Sequence, residues 1–212
     1  MDAEGALRER LVDVGVELVL TEGTASLGLR EIARRAGVSH GAPRRYFPTH
    51  RSLLSAIARR GFEELTARTA AATAEIADPR AQLSAMAHVY VAYALERHGM
   101  FELMFRHDLL DSSHADGALD GPLLREATLP MFKHVVELVA QCRRAADAPP
   151  ADVVAAGLWS NLHGIAQLWS WGSLQLATGA DPAEGVAAPA TPAAPDHLIE
   201  AALQAHLGPA TA

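Results

Sequence analysis

Along the first part of the chain, apolar side chains recur at intervals of three and four residues. Leu7, Leu11, Val14 and Leu18 keep to one helical face, so the spacing predicts an amphipathic helix over about 4–21 that ends near Glu22-Gly23. A short polar loop follows, in which Gly28 takes the N-cap place before a second helix at about 29–36. There Leu29, Ile32, Ala33 and Ala36 face inward, Arg30, Arg34 and Arg35 face outward, and the small Ala33 lets a neighbouring helix cross closely. Gly37 can take the left-handed conformation that closes this helix, Val38 suits the space beneath the turn, and Ser39 is placed to cap a third helix. Pro43 is comfortable only in a helix's first turn and disfavours helical geometry at Ala42, so that third helix is expected to be short and to start nearer Gly41 than Ser39. Pro48-Thr49-His50 interrupts the pattern. Leu53, Leu54, Ile57, Ala58, Phe62 and Leu65 then begin a longer fourth helix running to about 76, and Asp78-Pro79 marks a boundary.

The pattern stays helical beyond that boundary. From Ala81 to His98, the residues Leu83, Met86, Ala87, Tyr90 and Ala94 form one stripe that Val91 and Leu95 widen, so this helix should be largely buried. Residues 99–105 are dense in methionine and phenylalanine, and 108–121 reads as a polar loop. A helix is expected from Pro122 to about Ala145, kinked at Pro130, and another from Ala151 to about Thr178. In the latter, Val154, Leu158, Leu162, Ile165, Leu168 and Trp169 share one face, while Trp159, His163, Ala166 and Ser170 gather on another. Two covered faces imply two partners, the domain's own core and either a second subunit or a ligand pocket. The stretch 178–195 has the proline, glycine and alanine content of a flexible loop, and Asp196 is placed to cap a last helix bearing Leu198, Ile199, Ala202, Leu203 and Leu207. The reading is all-α: an N-terminal three-helix domain over 1–50, a connecting helix at about 51–76, and a helical domain over 77–212.

Composition sharpens this picture through the placement of charge. The chain of 212 residues carries a formal net charge of -7, yet Gly28 to Arg60 holds eight arginines against the single acid Glu31. The 27 residues before it hold two basic and six acidic side chains, so one basic island sits in an acidic protein. The island coincides with two short helical patterns flanking Gly37-Val38-Ser39, the form of a helix-turn-helix reader of DNA. Arg44 and Arg45 can bond guanine in pairs of hydrogen bonds or pair with phosphate, Gly41 and Ala42 permit close approach, and Tyr46 either gives its hydroxyl to phosphate or packs beneath; Phe47 reads as core. The candidate DNA-contacting residues are Arg30, Ser39, His40, Gly41, Ala42, Arg44, Arg45, Tyr46, His50 and Arg51. No run reaches the ~18 apolar residues of a membrane span, the N-terminus lacks signal-peptide features, and the single Cys142 cannot form an intrachain disulfide. A cytoplasmic protein is the expectation.

Leu29-Arg30-Glu31-Ile32-Ala33, Ala36-Gly37-Val38-Ser39, Gly41, Tyr46-Phe47-Pro48 and Leu53-Leu54, in that order and spacing, resemble the DNA-binding domain of the TetR family of bacterial transcription regulators. Trp159-x3-His163-Gly164 is similar to a tryptophan, histidine and glycine signature in the C-terminal domain of one TetR subgroup. Two positions depart from the family pattern: Arg44 stands where an aromatic is usual, and His50 where a lysine opens helix four, which would shift phosphate contacts to Arg44, Arg45 and Arg51. The resemblance implies an all-helical homodimer, paired through its last two long helices, that binds a palindromic operator and represses until a small molecule enters the second domain. A dimer also follows physically, because one short reading helix contacts few bases while two heads about one helical turn apart double the readout.

For such an effector, an apolar cavity walled by Tyr90, Tyr93, Met104, Phe105, Met131, Trp159 and His163 is the candidate, and the ligand would be apolar or aromatic. An interior filled throughout by side chains would instead favour a constitutive DNA-binding or interaction module. The ten histidines include no HExxH, and neither a CxxC nor a glycine-rich phosphate loop nor a nucleophile elbow is present. No catalytic residue, metal or cofactor is therefore expected, with a helical metal-dependent enzyme as the rival that turnover or tightly bound zinc would revive.

Overall fold

The computed structural model describes residues 3–110, 124–142, 149–178 and 195–209. Every regular element among them is helical: α1 (Ala3–Glu22), α2 (Leu29–Arg35), α3 (His50–Thr73), α4 (Pro79–Glu96), α5 (His98–Phe105), α6 (Leu124–Cys142), α7 (Ala151–Ser170), α8 (Ser173–Thr178) and α9 (Asp196–Leu207), with 3-10 turns at Thr24–Ser26 and Ala42–Arg45. The all-α expectation holds. No described helix is long and apolar enough to cross a membrane. Most of the loop expected at 108–121, the ends of the helix expected at Pro122 to Ala145, and nearly all of the loop expected at 178–195 lie outside the described residues. The chain divides into two compact units, 1–66 with 97–131, and 67–96 with 132–212.

In the first unit, Leu11, Leu18, Ile32, Leu53 and Ile57 are completely buried and form the centre of the core with Phe47 and Phe62. The close crossing of α1 and α3 depends on Gly15, where a methyl group would run into the Ile57 side chain. Helix α5 joins this unit, although the sequence assigned it to the domain 77–212. Two glycines explain the difference. A Cβ on Gly99 would strike the backbone carbonyl of Val19, and one on Gly61 would lie 2.6 Å from Met104 Sδ, so each lets α5 settle where a side chain would hold it off. Met100, Phe101, Leu103 and Met104 are buried as a result, and the Phe105 ring meets Phe101 at 4.9 Å and the edge of Phe62 at 5.7 Å.

Helix starts in both units follow local capping. The Thr49 hydroxyl accepts the Ser52 N–H at 3.0 Å while the Ser52 hydroxyl accepts the Thr49 N–H at 3.3 Å, a reciprocal box that begins α3. Asp78 accepts the Ala81 N–H at 2.8 Å, opening α4 just after the expected boundary.

In the second unit, α4 buries Leu83, Met86, Ala87, Tyr90 and Val91, and it packs with α7 and α9, which contribute Leu158, Leu162, Ile165, Trp169, Ile199, Ala202 and Leu203. Two expectations are corrected here. The helix expected from Ala151 to Thr178 breaks after Ser170, because Gly172 takes a φ of 78° and the chain turns before α8. Asp196 does not cap α9: the preceding Pro195 supplies its carbonyl to the N–H groups of Leu198 and Ile199, and Asp196 is the first helical residue, 3.7 Å from His88.

Candidate nucleic-acid interface

The basic island folds into a compact head. Helix α2 turns Ile32 and Ala33 inward and ends in a Schellman closure: Gly37 has φ 68°, its N–H bonds Arg34 O at 3.2 Å, and the Val38 N–H reaches Ala33 O at 3.0 Å. The next element differs from the expected helix. Residues Ala42–Arg45 form only a 3-10 turn that starts after Gly41, with Pro43 buried in its first positions. Ser39 makes no side-chain cap; its carbonyl accepts the Ala42 N–H at 3.0 Å instead. Proline explains both changes, since it offers no N–H for an α-helical bond and disfavours α geometry at Ala42.

This turn brings most of the candidate contact residues together on an exposed edge. Ser39, His40, Gly41, Arg44 and Arg45 are exposed, Ala42 and Tyr46 are half-buried, and Arg30 is exposed on α2. Phe47 is buried, with the Arg8 guanidinium 5.3 Å from its ring centre. His50 and Arg51 are engaged elsewhere: His50 Nε2 lies 2.5 Å from Leu27 O, bracing the start of α3 against the loop before α2, and Arg51 donates to Asp108 O at 2.8 Å. Arg106 pairs with Asp108 at 2.8 Å and holds its carboxyl below the usual range.

Sequence reading missed how two of the arginines are spent. Arg34 grips the Glu31 carboxylate with Nε and Nη2 at 2.9 and 2.5 Å, and Arg35 bonds Glu31 at 2.8 Å and Glu22 of α1 at 2.5 Å. The two guanidinium groups hold the Glu31 carboxyl down to about 2. The signal was present in the chain as an acid three and four residues ahead of two arginines, a spacing that pairs side chains on a helix.

The effector candidates divide between the units. Met104 is buried in the first unit's core, and the half-buried Phe105 packs there against Phe62 and Phe101. Tyr93 is completely buried in the second, with the Arg68 guanidinium 5.2 Å from its ring centre. Met131 is half-buried in α6. Within the second unit Tyr90, Trp159 and His163 come together: Trp159 Nε1 donates to the Tyr90 hydroxyl at 3.0 Å, and that hydroxyl lies 2.8 Å from His163 Nδ1. Phe132 of α6 meets the Trp159 ring edge at 6.3 Å. Burial lowers the His163 pKa and raises that of Tyr90, so both are neutral at physiological pH. Elsewhere on α7, Ser160, Asn161, Gly164 and Leu168 form an open groove of about 470 Å³ with Leu174, Leu198 and Ala201. Val153, Trp171 and Leu176 are also largely exposed at 56%, 67% and 67%. Among the described residues, no group of three or more potential ligands could hold a metal ion.

A basic head on a helix-turn-turn scaffold, carried by an acidic helical protein, defines a DNA-binding regulator, and comparison with known proteins gives its kind. Residues 11–57 match bacterial regulatory proteins of the tetR family, and residues 83–205 match the tetracyclin repressor-like C-terminal domain. The HTH-type transcriptional regulator BetI of Rhizobium meliloti (strain 1021) is 35% identical over 86 residues, a stretch that covers 41% of this chain and 42% of that regulator's length. A solved protein of unknown function from Rhodococcus sp. RHA1 is 30% identical, with a TM-score of 0.69 over 95% of this chain and 93% of its own. PfmR, a TetR family transcriptional regulator from Thermus thermophilus, shares the fold at 15% identity, with a TM-score of 0.59 over 93% of this chain and 97% of its own. The chain belongs to the TetR family. It is therefore a DNA-binding transcription regulator and not an enzyme.

Proposed function

We propose that the protein is a homodimeric repressor that binds a palindromic operator through two Arg44–Arg45 heads and is released by a small apolar or aromatic ligand. The observation that carries this reading is the pair of surfaces on α7. One face is an open groove, and Val153, Trp171 and Leu176 are exposed along α7, the turn after it and α8, apolar side chains that a second copy would cover. The other carries Trp159 and His163 beside Tyr90 and Phe132, where aromatic walls surround a small polar centre. A ligand seated there acts only by preferring the dimer whose heads no longer match the groove spacing. The DNA arm of the test is selection of bound sequences from a random duplex pool, in which a palindrome supports the dimeric reading and an unpaired half-site opposes it. Operator affinity is then measured against a panel of small aromatic and aliphatic compounds, with the fluorescence of a Trp169→Phe/Trp171→Phe variant, which keeps Trp159 alone, reporting binding. A compound that quenches the fluorescence and weakens operator binding supports the effector; one that quenches it and leaves the affinity unchanged opposes release.

A further inference from the structure

The basic island contains eight arginines, and the structure sorts them by what they already hold. Arg34 and Arg35 are bonded to Glu31, and Arg35 also to Glu22. Arg60 pairs with Glu9 and lies 3.7 Å from Asp13. Arg51 donates to the Asp108 carbonyl, whose own side chain is held by Arg106. Arg59 is half-buried well along α3. Arg30, Arg44 and Arg45 are exposed at the head and make no ion pair or hydrogen bond with the other described residues.

We propose that Glu31 is a positioning residue that sets the electrostatic footprint of the head, withdrawing Arg34 and Arg35 from phosphate so that DNA is met by Arg30, Arg44 and Arg45. This rests on the reading of the head as the DNA-contacting surface. An exposed ion pair is weak, and a phosphate can draw a guanidinium from its carboxylate. Doing so would strand the Glu31 carboxylate next to the DNA backbone, so the attraction gained by the arginine is cancelled by repulsion of the acid. The Glu22–Arg35–Glu31–Arg34 chain balances two carboxylates against two guanidinium groups, and the hydrogen bonds from Arg34 and Arg35 favour the ionised form of Glu31. Sequence-independent binding grows with each cation that displaces a counterion, whereas base readout does not. Keeping two cations off the backbone therefore widens the gap between operator and random DNA.

The test is a salt titration of the full-length protein on its selected operator and on a random duplex, comparing wild type with Glu31→Gln, with Arg34→Gln/Arg35→Gln, and with all three changes together. Each phosphate-contacting cation contributes about 0.9 to the slope of log affinity against log salt. Glu31→Gln keeps the size of the side chain and removes the charge. It is expected to steepen the slope by about 1 to 2 per head, to tighten random-duplex binding more than operator binding at low salt, and so to reduce specificity. The arginine double variant leaves Glu31 and Glu22 unanswered and is expected to weaken binding to both duplexes, while the triple variant, which lacks the freed cations, is expected to lose the steepening seen with Glu31→Gln. An unchanged slope for Glu31→Gln, or affinity lost with no change of slope, would overturn the proposal. If Glu31→Gln does not fold, the triple variant still decides: a slope shallower than wild type by about 2 per head means those arginines do meet phosphate. Absence of DNA binding by wild type would instead count against the reading head itself.

Discussion

Trp159 on α7 donates its indole N–H to the hydroxyl of Tyr90 on α4 at 3.0 Å, and the same hydroxyl lies 2.8 Å from His163 Nδ1. In the neutral Nε2–H tautomer of His163, that nitrogen is the acceptor and Tyr90 the donor. These three side chains form one polar chain between α4 and α7. His163→Ala deprives a buried hydroxyl of one partner and is expected to cost about 1–3 kcal/mol, and Tyr90→Phe, which removes both bonds and takes this partner from His163 Nδ1 and from the Trp159 indole N–H, is expected to cost at least as much. Urea denaturation of both variants checks these costs.

The same chain predicts a pH dependence. Burial lowers the His163 pKa in the fold below its ordinary value of 6.5, so the unfolded chain takes up a proton first. Its contribution to stability is complete above about 6.5 and is lost as pH falls below that value toward the folded pKa. Wild type should therefore lose more stability than His163→Gln between about pH 7.5 and about pH 5.5, measured by denaturation midpoints; equal losses would show that the ring is not held neutral.

Helix α5 reaches its place through glycine. At Gly99 the obstacle to a methyl group is the Val19 backbone, which cannot move aside, and at Gly61 it is the flexible end of Met104. Alanine would gain about 1 kcal/mol of helix propensity at either site, but overpacking against backbone costs about 1–3 kcal/mol or more. Gly99→Ala is expected to destabilise by about 2 kcal/mol and Gly61→Ala by clearly less, as read from urea midpoints.

On the α7 groove, a Cβ at Gly164 meets no atom within 4 Å. Gly164→Glu should accordingly leave the folded chain at least as stable as wild type while placing a charge in the face proposed to pair two copies. Sedimentation is expected to show monomer at concentrations where wild type is dimeric, with operator affinity reduced by roughly tenfold or more, since half the readout is lost. An unchanged dimer would move the interface elsewhere.

At the head, Arg45→Ala is expected to weaken operator binding by about 1–3 kcal/mol if the side chain reads a base, and to weaken binding uniformly on all duplexes if it meets phosphate. Titration on operator and on a sequence with one half-site scrambled separates the two. No change on either DNA would show that the exposed turn does not face DNA.

The sequence by itself determined the helices and the reading head. Apolar spacing of three and four residues marked α1 through α4, Gly37 marked the left-handed closure, and the run of arginines marked the basic island, because each is written in residues close together along the chain. Local rules also foresaw that Pro43 would delay the reading element, though not that it would leave only a 3-10 turn. What tertiary structure decided were the partners of side chains far apart in sequence. It packed Met104 and Phe105 against the helices of the first unit, because Gly61 and Gly99 leave room that no local pattern announces. It gathered Tyr90, Trp159 and His163 across some seventy residues. It also divided the arginines of the basic island into those answered by Glu22, Glu31 and Glu9 and those left facing solvent. Charge in a sequence is a sum, while the field a DNA molecule meets depends on which cations remain unpaired after folding.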